Sequence, residues 1–291
     1  MKPASFEYHR PASVAQALDL LAEHGAQAKL ISGGQSLGPM MNMRLASPAH
    51  LIDINDLTEL AGVRDVGDFL DIGTLTRHVE VEQSPLLAER CPLLPQAAGT
   101  IGHYAIRQRG TLGGSLAHAD PAAQMALIAC TLGARIVLAS RAGEREVMAS
   151  EFFEGAMTTA LRADEMIVRV RYPRLATNER SAFRLFSRRH GDYALIAVAI
   201  VVGIQDEVVR TLRLGISGAS PTPMRLDALT STFLNQRPDD RWQQALGHAV
   251  SQAIEPEDDK RVPAIYRREL ACELTCQALD TALAGSKKGV L

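Results

Sequence analysis

The sequence predicts a two-domain chain of mixed helices and strands whose second domain is of the α+β class. The first of three observations is length: 291 residues exceed the roughly 100–200 of one ordinary domain. Second, short strand-like runs interleave with short helical patterns through the first part of the chain. Third, beyond the polar stretch Ala176-Thr177-Asn178-Glu179-Arg180, long strands come first and helices follow, the order of an α+β domain. The boundary is therefore expected near that stretch, with a first domain over 1–176 and a second over 180–285.

Phe6 and Tyr8 alternate with polar residues, as in a strand. Ser13 is placed to cap a helix whose apolar residues Val14, Ala17, Leu18 and Leu21 follow the i, i+3, i+4, i+7 spacing, and Gly25 ends it. Residues 28–31, 51–54 and 70–73 read as strands, and Thr76 is expected to open a short helix. Asp120 before Pro121 reads as an N-cap with proline at N1, which predicts a helix through about Leu132. Residues 134–138 and 144–148 flank Ala142-Gly143 as a hairpin, and 166–172 alternates as a strand that halts at Pro173. In the second domain, 182–186, 193–202 and 208–216 predict a three-stranded antiparallel sheet. Helices are expected over about 226–234, 242–254 and 265–283, and the tail from Lys287 is expected to fray.

Composition excludes several classes. Hydrophobic residues make up 46% and charged residues 22%, so a disordered or fibrous chain is excluded. A formal net charge of −2 and 4% aromatics offer neither a basic footprint nor a stacking platform for nucleic acid. The amino terminus lacks an apolar signal core, and the most apolar run, 194–204, is too short to span a membrane, which needs about 20 residues. Cys91 and Cys130 are isolated, and Cys272 and Cys276 lie four apart in a helical pattern. Free thiols in a reducing cytoplasm are expected.

Two glycine-rich segments stand out. Ile31-Ser32-Gly33-Gly34-Gln35-Ser36-Leu37-Gly38 directly follows a strand, and Arg109-Gly110-Thr111-Leu112-Gly113-Gly114-Ser115 precedes the helix expected from residue 121. A glycine pair lets backbone N–H groups approach an anion closely, which suits a pyrophosphate. Either segment by itself is better explained by a tight turn; the pair together points to a dinucleotide, with two phosphates to hold. Neither fits the P-loop or the G-x-G-x-x-G template. His118 and Asp120 carry ligand-type side chains but lack a third ligand at recognisable spacing. His103 and Tyr104 suit acid–base work or a surface loop equally. Tyr193, after Arg188-Arg189-His190-Gly191-Asp192, either belongs to a solvated turn or faces a planar ligand. Read from the residues, the first domain is of an α/β type with two candidate phosphate-cradling loops.

The segments Ile101-Gly102-His103 and Ile106-Arg107-Gln108-Arg109-Gly110-Thr111-Leu112-Gly113-Gly114-Ser115-Leu116-Ala117-His118-Ala119-Asp120-Pro121-Ala122-Ala123, with Gly33-Gly34-Gln35-Ser36-Leu37, closely resemble the FAD-binding medium subunit of molybdenum hydroxylases. Gly191-Asp192-Tyr193-Ala194 and Tyr266-Arg267-Arg268 extend the resemblance over nearly the whole chain. It implies an FAD fold of the vanillyl-alcohol-oxidase type in two α+β subdomains, about 1–56 and 57–176, followed by a smaller α+β carboxy-terminal domain. Residues 31–38 and 111–115 would hold the pyrophosphate, Ile101 and Ile167 would border the flavin, and Tyr193 would lie near the isoalloxazine ring. Gln124 stands where the family usually has Asp or Glu, a side chain expected on the ribityl hydroxyls.

The resemblance further implies a heterotrimer, arranged as a dimer of heterotrimers. A large subunit would carry the molybdenum cofactor and hydroxylate substrate, and a small subunit would relay electrons through iron–sulfur clusters. The flavin here would pass them to an external acceptor, so no catalytic acid, base or metal ligand is expected in this chain. A free-standing flavin oxidase of the same fold and a cofactor-free assembly scaffold are the rival readings.

Overall fold

The structure, a computed structural model, describes residues 2–259 and 262–284; the tail expected to fray lies outside the described residues. The amino-terminal unit contains β1 (Glu7–His9), α1 (Val14–His24), β2 (Ala28–Ile31), α2 (Leu37–Asn42) and β3 (His50–Asp53). The three strands form a parallel sheet in the order β1-β3-β2. Ser13 caps α1 through its hydroxyl, which accepts the Gln16 N–H, and Gly25 ends it at φ 52°. Ala17, Leu18 and Leu21 bury against Ile52 and Ile54, so one helix face fastens α1 to the sheet.

The chain continues through β4 (Val63–Val66), β5 (Phe69–Gly73), α3 (His78–Gln83), α4 (Pro85–Arg90), α5 (Leu93–Ala98), α6 (Tyr104–Arg109), α7 (Leu112–His118) and α8 (Gln124–Leu132). Then come β6 (Arg135–Ser140), β7 (Gly143–Met148), α9 (Ala149–Phe152), β8 (Phe153–Gly155), β9 (Thr158–Thr159) and β10 (Met166–Pro173). An antiparallel sheet runs β4-β5-β10-β6-β7, with β8 and β9 paired separately. Helix α8 is buried on every side. A helix apolar all round must lie inside the molecule.

The carboxy-terminal part holds β11 (Glu179–Phe186), β12 (Ile196–Gln205), β13 (Val208–Ser217), β14 (Met224–Arg225), α10 (Asp227–Ser231), α11 (Asp240–Ala253) and α12 (Ala264–Ala284). Alternation along β12 divides two cores. Ala197, Ala199 and Val201 join the core that contains α8, whereas Ile196, Val198, Ile200 and Val202 join the core of α11 and α12. The sheet therefore lies between α8 and the last two helices. At the α8 face, a Cβ on Gly215 would lie 2.0 Å from Thr131 Oγ1, so backbone and helix meet with no room for a side chain.

Several expectations change. The second sheet has four strands, because the short β14 adds to the three expected. β12 begins at Ile196 and leaves Tyr193 in the preceding bend. The helix expected from Pro121 starts at Gln124, since Asp120 Oδ1 accepts the Ala122 N–H and closes a turn instead of a cap. Thr76 uses its hydroxyl to accept the Gly62 N–H, and α3 starts two residues later. The second glycine segment is a helix, α7, capped by Thr111.

Candidate functional site

A cavity of about 810 Å³ runs from the end of β2 along the start of α7 and the start of α8 to the bend at Gly191–Tyr193. Its floor is the segment that leaves β2. The Gly38 and Met40 N–H groups bond to Gly34 and Ser36 carbonyls, and the Gln35 side chain donates to the Gly33 carbonyl at 2.9 Å. The N–H groups of Gly33, Gly34, Gln35, Ser36 and Leu37 have no acceptor among the described residues. Five successive donors bordering one cavity form a concavity with positive character, and no carboxylate lies within the segment to occupy it. Gly34 sits at φ +67°, a conformation that favours glycine.

The second glycine pair does something different. Leu112 and Gly113 donate their N–H groups to the Thr76 and Thr74 carbonyls, and Gly114 donates to Thr111 Oγ1 at 3.1 Å. These donors are therefore spent within the protein. What this segment brings to the cavity is its hydroxyls and its closeness to the first segment. Ser32 Oγ and Thr111 Oγ1 lie 2.9 Å apart, and a Cβ on Gly33 would lie 2.1 Å from the Arg109 carbonyl oxygen. A Cβ on Gly114 would stand 2.8 Å from Thr111 Oγ1 and 3.1 Å from Ser32 Oγ, wedging that pair apart.

A clamp invisible in the sequence holds the two segments. Asn55 Nδ2 donates to the Ser32 carbonyl at 2.8 Å, Arg77 Nη2 donates to Asn55 Oδ1 at 2.7 Å, and Arg77 Nη1 donates to the Arg109 carbonyl. The only local signal is the Asx turn in which Asp53 Oδ1 accepts the Asn55 N–H. On the opposite wall, Arg145 makes a two-pronged pair with Glu165 at 2.6 and 2.7 Å, and Glu165 also accepts the Arg162 N–H. The Arg145 hydrogen bond, strongest of these influences, holds the Glu165 carboxyl below its usual range despite burial. That wall orders the segment carrying Met157, Thr158, Leu161 and Arg162 along the cavity.

Of the expected site residues, Ile31, Ser32, Gly33, Gly34, Gln35, Ser36, Leu37, Ile101, Thr111, Gly114, Ser115, Gln124 and Tyr193 line this cavity. Four do not. Gly38 lies inside α2, and Leu112 is fully buried in the core. Gly113 packs on Thr74, and Ile167 is a core residue of β10 opposite Leu138. Gln124 is 7% exposed at the first position of α8, and its side chain has no hydrogen bond to another described residue. Tyr193 stands at the mouth, 63% exposed; partial shielding of its hydroxyl and then the Asp120 carboxylate raise its ionisation. His118 and Asp120 also border the cavity. Burial pushes the Cys91 and Cys130 thiols each up to about 12, which leaves these two inert.

His78 lies under the clamp, 4% exposed, with its Nδ1 unpartnered. Burial, reinforced by Arg107 and Arg77, lowers its ionisation to about 4. The unfolded chain therefore takes up this proton first, and stability is lost as pH falls from about 6.5 towards 4. Linkage gives a loss of about 2 kcal/mol at pH 5 from this residue. Denaturant unfolding at pH 7 and pH 5 should show a smaller acid loss, by about that amount, in His78→Gln; an unchanged loss would mean that His78 is solvated.

Comparison with known proteins supplies the family. Residues 4–175 match the model of the FAD binding domain in molybdopterin dehydrogenase, and residues 181–282 match the CO dehydrogenase flavoprotein C-terminal domain. The chain belongs to this flavoprotein family. It is 36% identical to the carbon monoxide dehydrogenase medium chain of Hydrogenophaga pseudoflava, over 98% of this chain and 99% of that one. It is 35% identical to the caffeine dehydrogenase subunit beta of Pseudomonas sp. (strain CBB1), over 97% and 96%. A structure of the Hydrogenophaga pseudoflava carbon monoxide dehydrogenase, in a form lacking the Mo-pyranopterin moiety of its molybdenum cofactor, superposes with a TM-score of 0.94 at 37% identity, covering 98% and 99%. This flavoprotein is thus an oxidoreductase-complex subunit with an FAD-binding domain, and the unspent N–H groups at 33–37 fit the FAD pyrophosphate. Among the described residues, no helix is long and apolar enough to cross a membrane.

Proposed function

We propose that this chain is the FAD-carrying electron-transfer subunit of a cytoplasmic heterotrimeric molybdenum hydroxylase. The carrying observation is the row of five unpartnered N–H groups on a cavity large enough for a dinucleotide. When bound, FAD supplies the redox chemistry, accepting electrons from iron–sulfur clusters of a small subunit and yielding them to an external acceptor. Everything else this chain does is binding and positioning. Gly33 to Leu37 hold the pyrophosphate through backbone donors, with Thr111 and Ser115 hydroxyls closing the far side. Ile101 and Tyr193 border the isoalloxazine ring, and Gln124 faces the ribityl chain. Substrate hydroxylation belongs to a large molybdenum subunit, so no residue here acts as general acid or base. The spans of the two family matches support a domain division at about 176–180.

Gln124 makes the ribityl assignment testable. A carboxylate accepts hydroxyl hydrogen bonds more strongly than an amide, by about 1 kcal/mol, and at the first position of α8 it would also face the positive helix end. Gln124→Glu should bind FAD several-fold more tightly with the fold unchanged; equal dissociation constants would place Gln124 off the cofactor.

The function is tested by purifying the tagged chain from its native cell and analysing what accompanies it. Stoichiometric FAD, molybdenum and iron are expected, together with no substrate hydroxylation by the separated chain. FAD with neither metal would favour a free-standing flavin oxidase, and a flavin-free chain would favour a scaffold.

A further inference from the structure

Three histidines from separate elements converge away from the cavity. Glu7 and His9 are two apart on β1 and so share one face of the sheet, and Glu7 is the register partner of His50, which opens β3. Helix α1 covers that same face, because its buried residues pack on Ile52, two beyond His50. Its last residue, His24, is therefore delivered onto His50. The two imidazoles stack with centroids 3.7 Å apart and planes 8° apart. His9 Nε2 and His50 Nδ1 lie 3.0 Å apart, and Glu7 carboxylate oxygens stand 3.9 and 3.6 Å from those same nitrogens. One ring nitrogen from each histidine falls within 4.8 Å of the other two, and all three residues are half-buried.

We propose that His9, His24 and His50, with Glu7 as a fourth ligand, form a binding site for a zinc-class divalent cation. Three imidazoles and one carboxylate, with no thiolate, make a borderline donor set suited to Zn²⁺ and Co²⁺. Zinc–nitrogen bonds of about 2.0–2.1 Å place tetrahedral ligand atoms about 3.3 Å apart, so the His9–His50 pair is already near that spacing. The Glu7 carboxylate offsets part of the cation's charge. No part of the site lies on either glycine segment. Its structural consequence is a cross-link between the three-residue β1, the end of α1 and the start of β3.

The test uses the full chain, stripped with a chelator and titrated with Co²⁺ by absorption, then with Zn²⁺ in competition. One equivalent of Co²⁺ per chain, displaced by Zn²⁺, is expected, with a rise in thermal midpoint on metal binding. His24→Ala and His50→Ala should abolish the stoichiometric uptake, and Glu7→Gln should weaken it about 10–100-fold. His24 ends its helix and lies outside the core, so circular dichroism and FAD content of His24→Ala should match the parent. Absence of stoichiometric uptake, or uptake unchanged in both His24→Ala and His50→Ala, would overturn the proposal.

Discussion

Gly33→Ala is expected to leave the chain folded and strip it of FAD. The added Cβ would lie 2.1 Å from the Arg109 carbonyl oxygen and 2.9 Å from Gly110 Cα. Both are backbone atoms, so no side-chain rotation relieves the clash and the two segments must separate. Separation breaks the Ser32–Thr111 contact and the Asn55–Ser32 bond, and it turns the 33–37 donors away from a common centre. Overpacking of this kind costs about 1–3 kcal/mol, and here it falls on the ligand geometry. The FAD dissociation constant should rise at least about tenfold. Flavin content after gel filtration, read beside circular dichroism, checks this. A folded variant with full FAD occupancy would remove the first glycine segment from the cofactor site.

Gly113→Ala should act on stability. Its Cβ would fall 1.6 Å from Thr74 Oγ1 and 3.0 Å from Thr74 Cα, where α7 crosses the end of β5. Leu112, Leu116 and their core neighbours would be levered outward with the helix. A cost of about 3 kcal/mol, the upper end for overpacking, corresponds to a fall of roughly 6–12 °C in Tm for a chain of this size. Adding Thr74→Gly should restore much of that fall, because the offending side chain is then gone. A Tm unchanged in Gly113→Ala would show that α7 and β5 are not in this contact.

These two glycines mark the limit of what residues show by themselves. Sequence reasoning finds both pairs, because glycine runs after a strand are local signals, and it assigns both to backbone donors facing a phosphate. The structure leaves the backbone donors unspent at 33–37 only. At 112–114 the N–H groups are consumed by Thr74, Thr76 and Thr111, contacts set by how α7 lies across β5. Strands with clear alternation, such as β10 and β13, are legible for the same local reason. β4, whose Val63-Arg64-Asp65-Val66 is polar at its centre, has no such pattern and owes its pairing to β5. Arg77 and Asn55 are unreadable because their partners lie 22 to 32 residues away. Gln124 is legible as a departure from a family pattern, yet its burial comes from the packing of α8 against neighbours on both sides.

Whether this cavity holds FAD through the donors at 33–37 is decided by a fluorescence titration of FAD into the purified, flavin-stripped chain. Saturable binding of one FAD per chain is expected. Riboflavin, which has no phosphate, should bind at least about tenfold more weakly, since the unspent N–H groups would lose their anion. Equal affinity for FAD and riboflavin, or no saturable binding of FAD, would contradict it.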